Sequence, residues 1–339
     1  MQARIPLTVD LPPHLPQSSD ELAIPGLRLG HGSDTSGMTG VTVILCPQGA
    51  TAAAEVRGTA TGTRQFDSLV QPHHLASKAH AVVLAGGSGF GLSAADPVVA
   101  WLESGGYGFD TGRGVVPLVP TAIIFDLAFG DAKARPGPSL VAEALQAAAD
   151  GPVSCGSVGA GTGATVGKAR GVECAMKGGF GFASLALPGG PAVAAAVAVN
   201  AFGDVRDPED GRLVAGCRTA PDSMELADAR RVLASLPPGL EHPWEGNTTL
   251  AVVMTDASIS KLGARKVCEM AFGGLYRSVA PALSLYDGDL VVTLATGQVE
   301  AHIHQVGILA EEAVARAILR AVQKADGFGI LPAARDLTS

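Results

Sequence analysis

The apolar positions of this chain fall into two patterns. Residues 41–45, 51–56, 80–85, 121–126, 180–187, 192–200 and 248–256 are short runs rich in Val, Ile, Leu and Ala, and they predict strands, several of them buried on both faces. Residues 139–149, 226–234, 258–276 and 308–325, and a stretch running to about Glu103, repeat their apolar positions every three to four residues as helices do, with Ser139 and Ser258 as expected N-caps. Between the first two runs, Pro47-Gln48-Gly49 predicts a turn and hence a hairpin. Pro188-Gly189-Gly190-Pro191 predicts a second hairpin, joining 180–187 to 192–200. Residues 57–64 are glycine and threonine with two arginines, a loop able to approach a ligand or a neighbouring subunit. Before residue 26 the chain is broken by Pro6, Pro12, Pro13, Pro16 and Pro25, which predicts an arm over residues 1–25 lying on a domain formed by 26–339.

Composition narrows the classes of partner. At 339 residues and 47% apolar content, with positive mean hydropathy, the chain is long and apolar enough for a large core. Aromatics are 4% against 44 glycines, so that core must be packed from small aliphatic side chains with close backbone approach. A net charge of −8 and a pI near 5.5, with no basic stripe, speak against nucleic acid or an anionic membrane and favour a small or neutral substrate. The run 192–199 is too short to cross a bilayer, and the first thirty residues lack a secretory pattern. Cys46, Cys155, Cys174, Cys217 and Cys268 are odd in number and scattered, which reads as reduced thiols in a cytoplasmic protein. Nothing in these patterns calls for a cofactor or a metal ion.

Two glycine-rich stretches invite a nucleotide reading. Gly89-x-Gly91-x-x-Ala94 follows a strand, and Asp110 lies near where a ribose-binding acid is expected, so a nucleotide-binding α/β protein is the alternative from a different functional class. No second strand–helix–strand repeat follows it. Residues 163–168 fail the phosphate-loop pattern, because three residues separate Gly163 from Gly167 where four are needed and Ala169 stands in place of the metal-binding hydroxyl. Lys168 leaves this turn between apolar segments. Its default is a solvated surface group, as the default for Asp287 and Asp289, at i and i+2 before the apolar run 290–294, is a solvated hairpin turn.

The stretch with most chemical content is Gly246-Asn247-Thr248-Thr249 running into an apolar strand, preceded by the proline-rich loop 237–247. By itself Asn-Thr-Thr is ordinary turn chemistry. If the bond before Thr248 were cut, however, the new chain would begin with a threonine at the head of a rigid element. Its hydroxyl would be the nucleophile, and its α-amine, with an ordinary pKa of roughly 7.7–8.0, the general base.

Four stretches in this order, 85–92, 159–164, 199–203 and 246–249, make the chain resemble the L-aminopeptidase/D-esterase and β-peptidyl aminopeptidase family, whose relatives include the aminohexanoate-oligomer (nylon oligomer) hydrolases. The resemblance runs from about Gly26 to near the end. It implies a four-layer α/β/β/α sandwich of the N-terminal nucleophile hydrolase type, made as one inactive chain that cuts itself. Carried over, the cut falls between Asn247 and Thr248, giving fragments 1–247 and 248–339. The resemblance further implies that Asn200 donates its amide to the oxyanion, that Lys168 lies near the nucleophile and favours a neutral α-amine, and that Asp287 and Asp289 orient Thr248 and hold Lys168. Gly87, Ser88 and Phe125 fall on the substrate side. Phe125 stands where relatives tend to have a tyrosine, so a phenolic hydrogen bond is missing there. The implied function is an aminopeptidase or amidase on short peptides or aminoacyl amides, assembled as a homo-oligomer, a tetramer of processed protomers. Hydrolysis of internal linear amides, as in the nylon-oligomer branch, is the alternative, and acyl transfer on a related fold is a further one.

Overall fold

The computed structural model describes residues 14–237 and 246–338. Its organising element is one 18-residue strand, β2 (Thr39–Val56), paired along its first half with β1 (Arg28–Asp34) and β3 (Lys78–Ala85), and along its second half with β8 (Leu290–Val299). The expected hairpin at Pro47-Gln48-Gly49 is therefore not formed. The register against β3 slips between Leu45 and Ala50, so these residues make a bulge that bends the strand without reversing it. A bulge accommodates a proline, which has no N–H, because the ladder asks for no donor at that position.

The bend carries β2 from one sheet into another. One layer holds β5 (Gly179–Ala186), β6 (Ala192–Asn200), β7 (Thr248–Ala257), β8 and the second half of β2. The other holds β1, the first half of β2, β3 and β4 (Thr121–Ile123). Pairing is antiparallel except for β7 with β8 and β3 with β4. Three cores follow from the period-two alternation of each strand. Ile44, Val82 and Leu84 face Phe180, Phe182, Ala196, Val252 and Met254 between the sheets. Val41, Val43 and Val83 face outward onto α1 (Ala95–Ser104) and α2 (Pro138–Ala147). Val193, Val197, Val253 and Val291 face outward onto α3 (Lys261–Ser278) and α4 (Ile303–Gln323). The result is an α/β/β/α sandwich. Strands buried on both faces explain why so many runs read as continuously apolar.

Helix ends depart from expectation for local reasons. Ser260, not Ser258, caps α3 by accepting from the Gly263 N–H at 3.1 Å. At α2, Pro138 occupies the first turn and Gly137 the cap, so Ser139 is already inside. The fourth helix begins five residues before the expected 308, because His302 and Gln305 form a reciprocal capping box over polar residues that break the apolar pattern. The expected helix 226–234 shortens to Ala229–Ala234.

The described part of the N-terminal arm is fastened to the domain. Glu21–Leu22 pairs with Gly151–Pro152, and Leu22 and Ile24 are buried. The stretch Ser88–Ala94 is a 3-10 turn leading into α1, within a mixed and mostly antiparallel sheet. That topology overturns the nucleotide-binding alternative, which needs successive parallel strand–helix–strand units. Among the described residues no helix is long and apolar enough to cross a membrane, and no cluster of His, Cys, Asp and Glu could hold a metal ion. The loop 237–247 lies outside the described residues except for Pro237, Gly246 and Asn247.

Candidate active site

Strand directions gather the site. Because β6 and β7 are antiparallel while β7 and β8 are parallel, the end of β6 and the starts of β7 and β8 meet at one edge of the sandwich. Asn200 is directly paired with Thr248, and Leu250 with Leu290. The turn 286–289 thus arrives beside Asn247 and Thr248, and residues 57–60 close over it. The Arg57 and Gly58 N–H groups donate to the Asp289 carbonyl at 3.1 and 2.9 Å, and the Ala60 N–H donates to the Asp287 carbonyl at 3.0 Å. The arginine- and glycine-bearing loop is spent on this turn.

The residue before Thr248, Asn247, is held at both of its main-chain polar groups. Its carbonyl oxygen accepts from the Gly288 N–H at 2.8 Å, and the Thr248 hydroxyl donates to that same oxygen in close contact. The Asn247 N–H donates to the Tyr286 carbonyl at 3.1 Å, so Asn247 forms a parallel bridge with Asp287. Gly288 has to be a glycine. A Cβ there would stand 2.8 Å from both the Thr248 hydroxyl and the Ala60 carbonyl oxygen.

Asp287 and Asp289 are each only 1% exposed and Lys168 only 2%, so the solvated-surface default fails for all three. Asp289 accepts from the Thr249 N–H at 2.6 Å and the Leu283 N–H at 3.3 Å, fixing the head of β7. Asp287 accepts from the Ser284 N–H at 2.8 Å and the Phe202 N–H at 3.2 Å. Burial pushes the pKa of both carboxyls up. The proximity of Asp287 raises Asp289 further, while backbone donors and the charge of Lys168 pull Asp287 back. Two carboxyls that close, out of water, resist ionising together.

Lys168 Nζ donates to the Thr165 carbonyl at 2.9 Å, to the Asn200 carbonyl and Oδ1 at 3.1 Å, and to the Ala201 carbonyl at 3.2 Å. Asn200 Oδ1 also accepts from the Thr165 N–H at 3.0 Å, which leaves Nδ2 to donate to the Phe125 carbonyl at 3.0 Å. The Asn200 amide is therefore aimed at Phe125, and the main-chain donor on the Asn247 oxygen is the Gly288 N–H. Phe125 also packs on Gly246, where a Cβ would lie 2.5 Å from Phe125 Cγ.

Gly87 and Ser88 reach the site only indirectly. The Gly87 N–H donates to Asp126 Oδ1 at 2.7 Å and the Ser88 N–H to the Ile124 carbonyl at 3.1 Å, so they brace the segment that carries Phe125. The sequence reading missed the group at the centre of that brace. Asp126 is buried, accepts from the Thr39 hydroxyl at 2.7 Å, and fills space left by two glycines. A Cβ on Gly86 would lie 2.0 Å, and one on Gly163 2.9 Å, from its Oδ2. Two of the glycine-rich motifs are thus halves of a cradle for one carboxylate. Lys177, also missed, is fully buried and donates to the carbonyls of Gly161, Ala164 and Gly178 at 2.9, 2.8 and 3.2 Å. Burial lowers its pKa to about 7, against the opposing charge of Asp126. A charged residue amid glycines and apolar runs was the available signal for both.

The same architecture occurs in the L-aminopeptidase D-Ala-esterase/amidase of Ochrobactrum anthropi, described as a variant of the N-terminal nucleophile hydrolase fold. The TM-score is 0.67 over 91% of this chain and 86% of that one, and at 18% identity the likeness is one of fold. Two helix-covered sheets with a hydroxyl residue heading a central strand place the present chain in that fold class. The profile of Peptidase family S58 matches residues 22–330, and the chain belongs to that family. It is 39% identical over 324 residues to an uncharacterized aminopeptidase of Mycobacterium leprae, covering 86% of this chain and 84% of the other. It is 29% identical over 286 residues to the 6-aminohexanoate-oligomer endohydrolase of Paenarthrobacter ureafaciens, covering 81% and 74%. The chain is a hydrolase of peptide or amide bonds.

Proposed function

We propose that this protein cuts itself between Asn247 and Thr248 into fragments 1–247 and 248–339, and then uses Thr248 as an N-terminal nucleophile on short peptides or aminoacyl amides. The observation that carries the reading is the Asn247 carbonyl, gripped by the Gly288 N–H with the Thr248 hydroxyl against it. In self-cleavage Thr248 Oγ1 adds to the Asn247 carbonyl carbon and the negative charge forms on the oxygen facing Gly288, an electrostatic role typically worth about 3 kcal/mol. The C–N bond then breaks, and the hydroxyl proton ends on the Thr248 nitrogen. An ester replaces the amide, and water releases fragment 1–247 as a carboxylate. The freed α-amine serves as general base in turnover, and the Lys168 charge favours its neutral form. Asp289 holds the strand head, and the Asn200 amide, released from Phe125, completes the oxyanion site. The acidic pair is already satisfied by backbone donors, which together with Phe125 favours internal linear amides as a second reading.

The resemblance further supports a cytoplasmic enzyme assembled as a homo-oligomer, a tetramer of processed protomers. A denaturing gel with N-terminal sequencing tests the central step: two bands, the smaller beginning Thr-Thr-Leu, with Thr248→Ala remaining whole. A Thr248→Ala chain that still splits at this bond sinks the mechanism. Comparing an L-aminoacyl p-nitroanilide with its N-acetyl form separates the two substrate readings, since a rate unchanged by acetylation favours the internal amidase.

A further inference from the structure

In the uncut chain the bond to be broken already occupies the site, so Gly246-Asn247 stands where the acyl part of a substrate must later sit. Its contacts are a template for recognition, and they are backbone contacts. The Asn247 C=O takes the Gly288 N–H at 2.8 Å, and the Asn247 N–H gives to the Tyr286 C=O at 3.1 Å. These two groups flank Asp287 on one strand-like segment, and the bridge between Asn247 and Asp287 is a single rung of parallel pairing. Such a rung demands a donor and an acceptor separated by one tetrahedral carbon, the geometry of an α-amino acid. A β-amino acid inserts one more carbon between nitrogen and carbonyl, and a 6-aminohexanoyl group inserts four. With its carbonyl on Gly288, either would carry its nitrogen past Tyr286.

A second observation concerns the side chain of Asn247. It is buried, and among the described residues neither its Nδ2 nor its Oδ1 has a hydrogen-bond partner. The described residues around it thus supply no polar partner, and Phe125 lines the adjoining position at Gly246.

Resting on the proposed self-processing reading, we propose that Tyr286 C=O and Gly288 N–H form a clamp that reads the N–H and C=O of one α-amino acid residue, making the enzyme selective for α-aminoacyl amides with uncharged side chains over β- and ω-aminoacyl amides. The N–H is read whether it belongs to a free amine or to an amide. A substrate lacking it forgoes the hydrogen bond to the Tyr286 carbonyl beside the reacting centre, which should lower kcat/KM by about tenfold or more.

The test uses the processed enzyme with four p-nitroanilides: L-leucyl, its des-amino analogue 4-methylpentanoyl, β-homoleucyl and 6-aminohexanoyl. The clamp predicts that leucyl exceeds each of the others by at least about tenfold in kcat/KM. Equal or faster turnover of the des-amino, β-homoleucyl or 6-aminohexanoyl compound overturns the clamp and leaves the hydrolase reading standing. A second arm uses the chain's own bond. Asn247→Pro removes the N–H and should slow self-cleavage by at least about tenfold relative to Asn247→Ala, which keeps it. If the Pro and Ala variants cut at the same rate, the clamp is wrong. If no anilide is hydrolysed by enzyme with a confirmed Thr248 terminus, the aminoacyl-amidase reading fails instead, and the Pro/Ala comparison still decides the clamp.

Discussion

Asp289 gives the sharpest test of how the site is built. Its carboxylate, 1% exposed, is the acceptor for the Thr249 and Leu283 N–H groups at 2.6 and 3.3 Å. Truncation to Ala leaves both buried donors unpaired. At about 1–3 kcal/mol for each unsatisfied group, and less for the longer bond, the loss should be roughly 3 kcal/mol, a large share of an ordinary domain's stability. Asp289→Asn keeps an acceptor for Thr249 and, near pH 4 where the carboxyl is still protonated, should lose only about 1 kcal/mol. Both are best measured by urea unfolding on the Thr248→Ala background, so that one covalent chain unfolds. The sign of the pH dependence follows from the raised pKa. Between the ordinary value of 3.8 and the raised one the folded state holds a proton that the unfolded state has released, so the Asp289 contribution is fully present at low pH and lost as pH rises through that window. The stability of the parent relative to Asp289→Asn should fall with rising pH above about 4, by at most about 1.4 kcal/mol per unit. An Asp289→Ala chain whose unfolding midpoint is unchanged would refute the reasoning, since the two donors would then have other partners.

Lys168→Met should reduce self-cleavage and turnover by at least about tenfold while the chain stays folded, because four carbonyl-type acceptors lose their donor and the α-amine loses a neighbouring charge; rates and far-UV circular dichroism check this. Gly288→Ala should block self-cleavage by about a hundredfold or more, because the new methyl group meets the Thr248 hydroxyl and displaces the N–H on the scissile carbonyl; a time course on a denaturing gel reads it. Lys177, lowered to about 7, binds fewer protons folded than unfolded between pH 7 and its ordinary 10.5, so stability of the parent relative to Lys177→Met should rise across that range; equal slopes for the two proteins would contradict the burial argument.

The chain's own order of apolar runs was enough to place β3, β7 and the β5–β6 hairpin, because strands buried on both faces are apolar at every position and their period needs no partner to be seen. The nucleophile candidate was legible for the same reason, as a hydroxyl at the head of such a run. Pro47-Gln48-Gly49 misled because a turn and a bulge use the same residues, and only pairing on both sides of β2 decides between reversal and bend. Asp126 and Lys177 stayed hidden for a related reason. A charge is costly or safe in a core according to the acceptors and donors that converge on it, and those come from Gly87, Thr39, Gly161 and Ala164, far from it in sequence. The groups that grip the Asn247 peptide are the backbone of Tyr286 and Gly288, which any residue carries. Residue types therefore named the nucleophile candidate, while the antiparallel and parallel neighbours of β7 decided which main-chain N–H and C=O would face it.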